Sequence, residues 1–74
     1  MSPKLQPCAI RVRLIEELTK AHRHIAKLGD QEVGAVVRGD MGAVRELQDP
    51  LREARAVRDQ AMQALRDHIA EHGC

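Results

Sequence analysis

The side chains best suited to chemistry in this sequence are its cysteines and histidines, and several of them gather at the two ends. The C-terminal stretch "RDHIAEHGC" carries His68, His72 and Cys74, while Cys8 stands near the start. Residues four apart share a helix face, so His68 and His72 have the spacing of a helical metal clamp. Thiolate and neutral imidazole are soft to borderline donors, a set that suits zinc better than magnesium or calcium. Cys8, His68, His72 and Cys74 are therefore the candidate metal ligands, with zinc the candidate ion. Two other readings of the same residues stay open. A Cys8–Cys74 disulfide would close nearly the whole chain, adding about 4 kcal/mol in the chain-entropy model, and would need an oxidising setting or a redox role. Alternatively the histidines are the polar finish of a helix, where the dipole favours them.

Catalysis has little to stand on. Serine appears only as Ser2, and the chain contains no G-x4-GK[ST], G-x-S-x-G, G-x-G-x-x-G or C-x-x-C. The remaining nucleophile–base pairing is a cysteine with a histidine. Cys8 near a helix N-terminus and facing His72 would be biased toward thiolate. No catalytic residue and no cofactor site is assigned. His22 and His24 stand two apart and point to different sides of a helix, so they cannot chelate together. The tripeptide Arg38-Gly39-Asp40 matches an adhesion motif, but each of its residues also has a helix-turn role.

These residues need elements to place them. The stretch "CAIRVRLIEELTKAHRHIAKLG" has Ile10, Leu14, Leu18, Ala21, Ile25 and Leu28 in three–four alternation, the pattern of an amphipathic helix with a nearly heptad, coiled-coil-like seam. A second run passes through Val44, Leu47, Leu51, Ala54, Arg58, Ala61, Leu65, His68 and His72 in the same alternation. Gly39-Asp40 separates them: Gly suits the left-handed position after a helix and Asp caps the next one. The spacing predicts one helix over residues 9–38 and another over 41–72, after an irregular arm at residues 1–8 that holds Pro3 and Pro7. Residues 9–74 form a single domain.

Folded antiparallel about that turn, residues whose numbers sum to about 80 lie opposite each other. Leu28 then meets Leu51, Ile25 meets Ala54, Leu18 meets Ala61, Ile15 meets Leu65 and Val36 meets Val44. The same rule brings His72 to Cys8. The expected fold is all-α, an antiparallel helical hairpin. Two features strain it. Pro50 lies inside the second run, where a kinked continuous helix is expected because the seam keeps its phase. Between Gly29 and Val33 the first stripe slips phase, which would allow a break there. Arg58 at a seam position is expected to lay its stem along the core and send its head to water or an acid.

Composition limits the function. The 74 residues hold no aromatic side chain and carry a net charge of +1. Without stacking platforms or a basic excess, nucleic-acid binding is not expected. No stretch approaches the ~18 apolar residues of a membrane span, and the start lacks the pattern of a secretory signal, so the expected setting is the cytoplasm with reduced thiols. A single hairpin buries little, and two hairpins packed as a four-helix bundle would cover more. The expectation is therefore a homodimeric structural or interaction module with room for a further protein partner, the alternative being a zinc-binding or redox-responsive protein. "GDMGAVREL" and "HIAEH" are similar to stretches of hemerythrin-type bundles, where a histidine near a helix end stands four residues before an acid. Here His72 takes the place of that acid, and no ligand set carries over.

Overall fold

The turn at the centre of the chain explains most of the architecture. In a computed structural model that describes residues 7–72, with side chains from 9 to 71, helix α1 spans Pro7–Arg38 and helix α2 spans Met41–His72. Each helix has 32 residues. Gly39 joins them at φ 75°, a left-handed conformation that glycine adopts without a Cβ penalty. Its amide donates to the Val36 carbonyl at 3.0 Å, and the Asp40 amide donates to the Ala35 carbonyl at 2.8 Å. This pair of reversed bonds closes the C-terminus of α1 as a Schellman motif. The Asp40 carboxylate then accepts from the Ala43 amide at 3.0 Å, capping α2. The fold is an all-α helical hairpin, as the periodicity predicts.

α1 begins at Pro7, two residues ahead of the expected start at 9. Proline belongs in a first turn, where its missing N–H has no helical partner to lose. Neither suspected interruption breaks a helix. α1 runs unbroken through Gly29 and Asp30, and α2 runs unbroken through Pro50. Pro50 is exposed, so the carbonyl it leaves without a helical donor can turn to water.

The core is narrow and lies midway along the hairpin. Leu28, Leu51 and Ala54 form its buried cluster, with Ile25 and Leu47 packed against it. Leu51 is 1% exposed, the largest fully enclosed side chain among the described residues. Leu28 with Leu51 and Ile25 with Ala54 are the pairs the sum-to-80 register assigns. That register is fixed a second time by Gln48, whose amide donates to Glu32 Oε2 at 2.8 Å across the two helices.

The phase slip read between Gly29 and Val33 is not a slip. The α1 seam continues from Leu28 through half-buried Glu32 to Ala35, which is 0% exposed. Glu32 holds a seam position with its aliphatic stem and sends its carboxylate to Gln48. The pairing of Val36 with Val44 fails accordingly. Val36 is exposed, and Ala35 takes the inward place. Likewise Leu14 is half-buried, whereas Ile15, expected opposite Leu65, is exposed.

Candidate functional site

Three of the four Cys/His positions, Cys8, His68 and His72, lie on the helix ends at the open end of the hairpin. α1 starts at Pro7 and α2 ends at His72, so the two ends come level in an antiparallel pair of equal helices. Cys8 lies in the first turn of α1, and His68 and His72 lie in the last turns of α2. Of the four candidate ligands, His68 has a described side chain. It is 7% exposed, the buried polar residue of the described core. The seam therefore carries His68 inward, as its place in the alternation predicts. The side chains of Cys8 and His72, and all of Cys74, lie outside the described residues, and so does the Cys8–Cys74 disulfide. Among the described residues no group of three or more His, Cys, Asp or Glu side chains gathers.

The middle of the hairpin resolves the other residues singled out by type. Arg58 is half-buried at the seam and its guanidinium meets the Asp59 carboxylate, Nε at 3.0 Å and Nη2 at 3.0 Å. The stem covers apolar surface while the head finds an acid, the arrangement expected of a long cation on a core face. His22 and His24 are both exposed and point to different sides. His24 lines a groove of ≈ 190 Å³ together with Ala21, Pro50, Glu53, Ala54 and Val57. Small-molecule sites usually enclose about 300–1,000 Å³ and bury most of the ligand. A larger hollow of ≈ 490 Å³ runs over α1 between Arg13, Glu16, Glu17, Lys20 and Arg23. One helix supplies all its walls, and apart from Thr19 those walls are long charged side chains. Neither hollow joins a nucleophile to a base.

Comparison with protein-family models, with curated proteins and with solved structures finds no match for this chain. Function therefore has to be argued from the hairpin.

Exposed polar side chains pair with one another along α2. Arg52 bridges Asp49 at 2.8 Å, and both side chains are largely exposed. Gln63 donates to Asp67 at 2.9 Å one turn away. Such exposed pairs contribute at most about 1 kcal/mol each. No helix among the described residues is long and apolar enough to cross a membrane.

One set of residues escaped the reading by type. Val12, Val33, Val36 and Val37 are all more than half exposed. The main stripe's spacing takes Val33 as the end of a phase slip and Val36 as the partner of Val44, and so passes over the valine row. The usable signal was that Val12, Val33 and Val36 keep the three–four alternation, offset from the seam.

Proposed function

We propose that this chain is a structural or interaction module that acts as a homodimer, two hairpins packing into a four-helix bundle, with no catalytic chemistry of its own. The observation that carries this reading is the imbalance between covered and uncovered apolar residues. The buried hydrophobic core among the described residues is Ala21, Leu28, Ala35, Leu51 and Ala54, of which three are alanines. Nine large hydrophobic side chains among the described residues remain exposed. A two-helix hairpin with so small a core gains little from burial alone, and a partner is the ordinary remedy for a chain of this size. A balanced charge and the absence of aromatics favour a protein partner over nucleic acid, and the cytoplasm is the proposed setting. Sedimentation of untagged protein at micromolar concentration tests the reading: a dimer supports it and a monomer refutes it.

A second reading rests on the open end. There Cys8, His68 and His72 fall on helix ends that come level, and a zinc or redox site would link them to Cys74. Protein purified without a His-tag would then carry stoichiometric zinc, and would lose it in a His68→Ala, His72→Ala double variant. Metal-free protein whose melting temperature ignores chelator would remove this reading.

A further inference from the structure

One side of the hairpin carries opposite charge on its two edges. Two hollows mark this side, of ≈ 190 Å³ and ≈ 340 Å³. Ala21, Pro50, Ala54 and Val57 give the first an apolar floor, and Ala43 and Leu47 continue it into the second. Glu53 borders the first and Glu46 the second, both from α2. These acids belong to a row that repeats every seven residues: Glu46, Glu53, Gln60 and Asp67. Residues seven apart are two turns apart and keep to one edge of a helix in a seam of this kind. On α1, Gly34 borders the second hollow, and its seven-residue row runs back through Lys27, Lys20 and Arg13. All six charged members of the two rows are exposed.

The two edges also match in height. Lys27 and Glu53 sum to 80, the number that sets residues abreast in the hairpin, and so do Arg13 with Asp67 and Lys20 with Gln60. Yet Lys27 and Glu53 form no ion pair within the chain, because the floor of the groove lies between them. The other side of the seam has no such pattern. Its α2 edge carries Arg45, Arg52 and Arg66 with Asp59, and its α1 edge carries Val12, Thr19, Ala26 and Val33, with no acid to oppose the arginines.

We infer that a second copy of the chain docks on the grooved side, related to the first by a two-fold axis along the length of the hairpin. The inference rests on the dimer reading and adds the face and the arrangement. Such an axis keeps every residue at its own height and exchanges the edges. The basic edge of each copy therefore lies over the acidic edge of the other. Lys27 of one copy meets Glu53 of the other, and Arg13 meets Asp67, each contact occurring twice. Glu17, an acid beside the basic row, comes level with Ala64, where α2 carries no charge. α1 of one copy crosses α2 of the other antiparallel, so every neighbour in the resulting four-helix bundle is antiparallel. The charges select the occupant as well as the face. A foreign partner would need an acidic and a basic row at this spacing and height, and a second copy has both by construction. Rim pairs of this kind add little affinity each, but they fix orientation and reject mismatched partners.

Sedimentation equilibrium on the untagged full chain tests this with charge reversals, each checked for helicity by circular dichroism. Lys27→Glu and Glu53→Lys change exposed side chains, and each turns two attractions into two repulsions in the dimer of that variant. Mixed in equal amounts, the two variants form a dimer with one copy of each, in which both contacts again join opposite charges. No effect within a single chain can produce that recovery. The expected result is a wild-type dimer, association roughly 5-fold or more weaker in either variant alone, and recovery close to wild type in the mixture. The differences are expected to shrink in about 1 M salt. Val33→Glu charges the other side and is expected to leave association unchanged. Weakening confined to Val33→Glu overturns the face and leaves the dimer standing. So do single variants that associate like wild type, or a mixture no tighter than its parts. A wild-type monomer overturns both the face and the dimer.

Discussion

Gly39 and Asp40 carry the turn, and each does so through one physical property. A Cβ at φ 75° would be strained, so Gly39→Ala is expected to cost about 1–2 kcal/mol. Asp40→Ala removes the acceptor for the Ala43 amide and is expected to cost about 1 kcal/mol. Urea unfolding followed by circular dichroism measures both, and an unchanged midpoint in Gly39→Ala would contradict the turn assignment. The same two residues belong to the Arg38-Gly39-Asp40 tripeptide, so helix termination accounts for them without any adhesion role. At the open end, His68 was legible as a seam residue because its place in the alternation decides which way it faces. Its chemistry was not legible in the same way. Whether imidazoles and thiols share an ion depends on distances of a few tenths of an ångström, and periodicity carries no such information.

The two helices were legible almost residue by residue, because the three–four alternation and the Gly-Asp pair are strong local signals. Misreadings arose where two patterns overlap on one helix. After Leu28 the seam passes to Glu32, a charged residue, while valines at 33, 36 and 37 attract attention to the neighbouring face. Hydropathy alone follows the valines. Tertiary packing follows Glu32 and Ala35, because the Glu32 stem is apolar and its head reaches Gln48. Three stability predictions belong to this scale. Leu51→Ala is expected to cost about 2–5 kcal/mol, since it opens a cavity in the middle of a small core. Val37→Ala, at a side chain 80% exposed, is expected to change stability by less than about 0.5 kcal/mol. Pro50→Ala is expected to raise the unfolding midpoint, restoring a backbone bond in α2 worth up to about 3 kcal/mol with the clash relief. If Pro50→Ala destabilises the protein instead, the proline is supporting a bend that the packing requires.

For the molecule as a whole, the dominant feature is apolar surface without cover. A hairpin whose fully enclosed side chains are few has a small margin against the entropy of ordering its backbone. Coupling folding to association, as proposed, would supply the difference, and it would have a consequence that a monomer cannot imitate: a melting temperature that rises with protein concentration. The balanced charge would leave such association without a long-range repulsive barrier. Sedimentation equilibrium of the untagged chain, across a micromolar concentration series, tests this most directly. The hairpin predicts a mass twice the 8.3 kDa of one chain, falling toward one chain on dilution. A mass of 8.3 kDa at every concentration, with a concentration-independent melting temperature, would contradict it.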